Sequence, residues 1–204
     1  MRIAFIDGSP KIKQSTSGIL LEDIKSSISQ QAECIDITMH KQKLSDIQLE
    51  QLKSVDVFVI SCPLYVDGIP GHLLSCLGQL EETFKNQLQI NVYGIVNCGF
   101  YEGQQARYAL NILENWCIKT GLIWSGGIGI GGGGGISQMP NGPRVPINKA
   151  FQEMGNNIMQ KQIQKNQYVS IAFPRFLYKV AAQFGWRQLM KSNGGKPKDL
   201  NKQW

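Results

Sequence analysis

The chain has no uninterrupted apolar run near the ~20 residues that a membrane span requires. It has no C-x-x-C pair and only two histidines in 204 residues. The first absence excludes a transmembrane helix as the organising feature. The second, with an odd count of five cysteines (Cys34, Cys62, Cys76, Cys98 and Cys117), argues against a zinc ribbon, an iron–sulfur cluster, a redox dithiol or a disulfide framework. The third leaves no Ser-His-Asp constellation and no His/carboxylate cluster, so no metal is expected. Neither Gly-Lys-Ser/Thr nor G-x-G-x-x-G stands at the first turn, which disfavours those ways of holding a triphosphate or a dinucleotide. Met1 to Asp7 is too short an apolar stretch, ended by an acid, to be a secretion signal. Free thiols and no leader give a cytoplasmic expectation.

Acids are scarce in one region only. The formal net charge is +6, from 21 Lys+Arg and 15 Asp+Glu, yet residues 1–159 hold 12 bases and 14 acids. Residues 160–204 hold nine bases and a single acid, Asp199. The basic character therefore belongs to the C-terminal quarter and needs its own explanation.

What is present is an alternation. Short β-branched or apolar runs at 2–6, 34–37, 55–60, 90–96 and 122–130 read as buried strands. Between and after them, Ile19-Leu20-Ile24-Ile28, Leu44-Ile47-Leu52, Leu73-Leu77-Leu80-Phe84, residues 104–120 and residues 146–165 carry helical spacing. Five strands alternating with five helices predict an α/β fold, a doubly wound five-stranded parallel sheet with helices on both faces. Ligands of such sheets bind at the carboxyl ends of the strands, where the strand order reverses.

Three strand-end loops are unusual. The first, Gly8-Ser9-Pro10-Lys11-Ile12-Lys13-Gln14-Ser15-Thr16-Ser17, collects hydroxyls and two lysines ahead of a helix N-terminus. Free N–H groups and the helix dipole there suit a phosphate, although Ser15, Thr16 and Ser17 also serve as plain helix caps. The second is Cys62-Pro63-Leu64-Tyr65-Val66-Asp67-Gly68-Ile69-Pro70, where Tyr65 packs on a ligand ring or in the core and Asp67 reads as a loop cap. The third is Asn97-Cys98-Gly99-Phe100-Tyr101-Glu102-Gly103. His40 reads as solvated surface and His72 as a structural residue near the loops. The run from Gly127 to Gly135, ending in Gly131–Gly135, reads as a side-chain-free surface that a substrate or second subunit approaches, or as simple flexibility, with Met139-Pro140-Asn141-Gly142-Pro143 as a lid.

Gly8-Ser9-Pro10-Lys11 with Ser15-Thr16 resembles the phosphate loop of NADPH-dependent FMN reductases of the flavodoxin-like superfamily, commonly Gly-Ser-Pro-Arg followed by Asn-Thr. Cys62-Pro63-Leu64-Tyr65 is similar to that family's Ser-Pro-x-Tyr segment along the flavin ring. The resemblance spans about 1–165 in element order. It implies a flavodoxin-like fold with bound FMN, its phosphate held by Ser9, Lys11, Ser15, Thr16 and Ser17. Pro63, Leu64 and Tyr65 would flank the ring, and Asn97, Gly99, Phe100 and Tyr101 would approach its polar edge. Lys11 stands where Arg is usual, giving a point charge in place of a bidentate clamp. Ser15 replaces Asn, and Gln14 replaces the loop's Gly.

The implied activity is an FMN-dependent NAD(P)H oxidoreductase, with NADPH or NADH as hydride donor. The acceptor would be a small molecule: a flavin, a quinone, or a nitro or azo compound. No catalytic side chain is required, because the flavin carries the chemistry. The alternative is a flavodoxin-like electron carrier, or flavin-binding protein, without NAD(P)H turnover. The domain division expected is 1–167 for the FMN-binding domain and 168–204 for a C-terminal helical extension. In that extension Phe176, Val180, Phe184 and Leu189 form a stripe among Arg175, Lys179, Arg187 and Lys191. Such a basic amphipathic helix favours docking, on its own domain or on a partner subunit in a homodimer or higher homo-oligomer. Membrane-surface contact is the less favoured use, and nucleic acid is not expected.

Overall fold

A computed structural model describes residues 1–28, 32–85 and 89–196. Two compact units result, Met1–Ile171 and Ala172–Trp204. The first unit contains strands β1 (Arg2–Asp7), β2 (Glu33–Thr38), β3 (Val57–Pro63), β4 (Asn91–Asn97), β5 (Ile123–Ile130) and β6 (Gln167–Val169). Its helices are α1 (Thr16–Lys25), α2 (Asp46–Lys53), α3 (Gly71–Phe84), α4 (Arg107–Thr120) and α5 (Asn141–Gln160). The second contains α6 (Arg175–Ser192), followed by a turn; Pro197, Lys198 and Asp199 of the basic tail lie outside the described residues. Among the described residues no helix is long and apolar enough to cross a membrane.

The sheet is parallel throughout, in the order β2-β1-β3-β4-β5-β6. It has six strands, which corrects the five expected from sequence. The extra strand is Gln167-Tyr168-Val169, three half-buried residues at the edge, too short to show a period of two. The central strands β3 and β4 are buried on both faces, as their β-branched composition requires. Helices α1 and α5 cover one face; α2, α3 and α4 cover the other. The larger cluster on the second side includes Phe58, Leu73, Leu80, Phe84, Leu110 and Leu113.

Local signals explain most helix starts. Ser45 caps α2 by a reciprocal capping box with Gln48. Helix α5 begins at Asn141, five residues before the expected start, and ends at Gln160. Asn141-Gly142-Pro143 is thus the first turn of a helix, where a missing N–H costs nothing, and not the tip of a lid. Helix α1 ends at Lys25 with Ser26 as its cap, short of Ile28.

On the α1/α5 face Tyr93 is fully buried, its hydroxyl 2.9 Å from the Asn157 carbonyl and 2.8 Å from the Gln162 carbonyl. Burial pushes its pKa up to about 12. The same cause pushes Cys62 up to about 12 and Cys117 higher still. All five cysteines are free thiols, and only Cys34 is exposed.

Three outcomes follow from this burial. A thiol reagent at mild pH should titrate one group in the native protein, none in Cys34→Ser, and five after unfolding. Groups whose acid form is favoured by the fold stabilise it fully below their ordinary pKa and lose that contribution as pH rises. Urea unfolding should therefore shift to lower midpoints between about pH 9 and 12. Tyr93→Phe should cost roughly 1–2 kcal/mol at neutral pH and flatten that alkaline decline.

Candidate functional site

The strand order reverses between β1 and β3, since β2 lies to one side of β1 and all later strands lie to the other. The carboxyl ends of β1, β3, β4 and β5 therefore surround the crevice where a doubly wound sheet holds its ligand.

After β1 the chain makes a loop in which Gln14 takes a left-handed conformation at φ 50°. The N–H groups of Ile12, Lys13, Gln14, Ser15, Thr16 and Ser17 have no acceptor among the described residues. Successive unpaired N–H groups ending at a helix N-terminus form an anion cradle. Lys11 and Lys13 are exposed beside it. The hydroxyls are less available than the sequence suggested. Ser15 is the α1 cap: its Oγ accepts from the Gly18 N–H at 2.9 Å and donates to Asp7 Oδ2 at 2.6 Å. Ser9 Oγ accepts the Lys11 N–H at 3.2 Å, and Thr16 Oγ1 donates to the Gly133 carbonyl at 3.3 Å. Ser17 is buried, its Oγ accepting from Asn97 Nδ2 at 3.0 Å.

In the sequence Asp7 is only the acid that ends a strand. Its carboxylate accepts from the Ser9 N–H at 2.9 Å as well as from Ser15. A negative charge therefore forms one wall of the cradle. Next to it in the register of β1 and β3, the Ser61 hydroxyl is fully buried and has no partner among the described residues.

The second loop is a tight hairpin. Tyr65 and Gly68 exchange both backbone hydrogen bonds at 3.0 Å, with Val66 and Asp67 at φ 49° and 59°. That is the signature of a type I′ turn, which glycine or asparagine normally fills. A β-branched Val66 in the left-handed region is strained, and its side chain is fully exposed. The turn holds Tyr65 at the surface, 50% exposed, beside half-buried Pro63 and Leu64. This answers the core alternative for Tyr65.

In the third loop Gly99 and Phe100 are exposed, Phe100 at 57%, and Tyr101 is half-buried, its hydroxyl 3.4 Å from the Ile171 carbonyl. Asn97 points elsewhere. Its buried amide donates to Ser17 Oγ and, at 3.2 Å, to the Cys62 carbonyl. The loop is zipped onto the glycine run: Gly132 N–H donates to Phe100 O at 2.6 Å and Gly133 N–H to Cys98 O at 2.7 Å. A Cβ at Gly131 would overlap the Tyr101 carbonyl, and one at Gly103 would overlap the Gly129 and Val169 carbonyls. Gly131, Gly132 and Gly133 are buried. Their missing side chains serve contact within the chain, which corrects the reading of these three as an open approach surface. Only Gly134 and Gly135 keep free space.

Both histidines border the site. His40 is half-buried, and its Nδ1–H donates to the Ser9 carbonyl at 2.7 Å, so it braces the first loop and is not solvated surface. The signal was topological: β2 neighbours β1, so the loops after them adjoin. His72, at the head of α3, has a buried Nε2 without a partner among the described residues. A polar cleft of about 250 Å³ lies away from the strand ends, between α1 and α5, lined by Asp23, Ser26, Asn141, Arg144, Asn148 and Gln152 among others. No group of three or more His, Cys, Asp or Glu among the described residues is arranged to hold a metal.

No family model matches the chain, and no curated protein matches it. Solved structures do. The Trp repressor binding protein from Bacillus subtilis is 18% identical with a TM-score of 0.59, covering 74% of this chain and 96% of its own. An NADH:FMN oxidoreductase in its apo form is 16% identical with a TM-score of 0.59, covering 76% and 89%. An NADPH-quinone reductase from P. pentosaceus is 13% identical with a TM-score of 0.58, covering 77% and 99%. Identities this low speak to architecture alone, and the architecture of this chain is the flavodoxin-like α/β fold.

Proposed function

We propose that the protein is an FMN-dependent NAD(P)H oxidoreductase that reduces a small acceptor such as a flavin, a quinone, or a nitro or azo compound. One observation carries the reading. At the reversal of strand order, a cradle of six N–H groups without an acceptor among the described residues stands beside exposed Tyr65 and Phe100 on the neighbouring strand-end loops. A phosphate on a flat heterocycle satisfies both halves. The likeness in fold to an NADH:FMN oxidoreductase and an NADPH-quinone reductase supports it.

The residues fit the cofactor. Backbone N–H groups of residues 12–17 and the Lys11 ammonium would hold the phosphate, with Ser15 and Ser17 fixing the loop that presents them. Leu64, Tyr65 and Phe100 offer apolar and aromatic faces to the ring, while Gly99 and Tyr101 border its polar edge. The buried Ser61 hydroxyl and His72 Nε2 are polar atoms near these loops without a partner among the described residues. When bound, FMN would supply the hydride-accepting ring, so the chain needs to contribute position and an open face only.

The visible spectrum of purified protein, after addition of FMN, tests the proposal. Oxidised-flavin bands should appear and bleach under anaerobic NADPH or NADH. Failure to take up FMN would overturn it, and tight FMN binding without bleaching would make the chain an electron carrier.

Variants separate the two halves of the site by flavin-fluorescence titration. Lys11→Ala should weaken FMN roughly tenfold and leave riboflavin unchanged. Asp7→Asn should tighten FMN several-fold by removing a like charge from the cradle wall, again without effect on riboflavin. Tyr65→Ala should weaken both flavins alike, by roughly tenfold.

A further inference from the structure

The net charge of the chain belongs to one of its two units. Residues 1–171 hold 14 bases and 14 acids, whereas residues 172–204 hold seven bases and one acid. Helix α6 carries much of this excess and has no buried residue. Phe176, Leu177, Val180, Phe184, Trp186 and Leu189 are each 40–69% exposed. Phe176, Val180 and Phe184 recur every four residues on one face, continued by Arg187 and Lys191. Lys179, Val180, Gln183, Phe184 and Arg187 line a shallow depression along it. Leu189 and Trp186 fall on the opposite side, which corrects the single stripe expected to include Leu189. Apolar and basic side chains are therefore interleaved round most of the helix. Only Ala181, Gly185, Gln188 and Ser192 form a strip with neither a large apolar nor a basic side chain.

We propose that α6 lies along the surface of an anionic lipid bilayer. Interleaving suits that boundary: aromatic and aliphatic side chains enter the acyl region while Lys and Arg stems carry their charges out to the headgroups. Tryptophan is at home at the same depth. Charge selects this occupant over others. The 1–171 unit carries no net charge, so it offers no overall attraction for a cationic helix, and a second α6 would set Lys179 and Arg187 against their like. Nucleic acid would neutralise the cations but leave Phe176, Val180 and Phe184 in water. The proposal does not depend on flavin binding.

The test is co-sedimentation of the full-length protein with vesicles of phosphatidylcholine alone or with phosphatidylserine added. The protein should pellet with the anionic vesicles only, and high salt should release it. Lys179→Glu/Arg187→Glu should lower binding roughly tenfold or more. Phe176→Ser/Phe184→Ser should abolish binding while leaving unchanged whatever flavin binding the parent shows. Pelleting indifferent to phosphatidylserine would overturn the proposal, as would indifference to both double variants. So would a protein that shifts duplex DNA, or forms a dimer dissolved by these substitutions, while ignoring the vesicles.

Discussion

The amide of Asn97 ties together three elements on which the site depends. It is the last residue of β4, and its Nδ2 donates both to Ser17 in the first turn of α1 and to the carbonyl of Cys62 in β3. Buried donors and acceptors must find partners or forfeit their hydration, so each group constrains the others. Ser17 holds the start of α1 at a set height above the sheet, which sets where the loop's free N–H groups face. The Cys62 carbonyl stands next to Pro63, so the same amide registers the loop that presents Tyr65. Gly133 approaches Asn97 closely enough that a Cβ there would come within 3.0 Å of its Oδ1, which brings the loop after β5 into the same arrangement.

Around that tie, the cradle after β1 balances attraction and repulsion. Its backbone donors, the α1 dipole and Lys11 all favour an anion. Asp7 stands on the inner side, satisfied by Ser9 and Ser15, and works against a second negative charge. The carboxylate keeps the loop in shape by accepting two hydrogen bonds, and His40 braces the same loop through the Ser9 carbonyl. Loop rigidity and anion affinity are thus set by overlapping groups, and a substitution that changes one moves the other.

Much of this was legible in the chain because it is local. The β-branched run before Cys62 and the crowded loop from Gly8 to Ser17 announce themselves within a few residues of sequence. What was not legible is non-local. Residues 167–169 become a strand only because β5 offers an open edge. His40 matters because β2 lies beside β1. Ser17 and Asn97, read as ligands, are occupied with each other across 80 positions of sequence. The glycine run looks like slack in one dimension and is a close contact in three.

That close contact limits how the protein can diversify. Where two backbones touch at Gly103, Gly129 and Gly131, any side chain collides with a carbonyl that has no rotamer to give way. This side of the crevice is closed to substitution, so lineages descended from this sequence would have to retune ligand preference elsewhere. The free positions are the tips: Val66, which already departs from the residue its turn prefers, and Phe100, which faces solvent above the locked backbone. Variation in specificity should accumulate at those tips while the glycines beneath them stay unchanged.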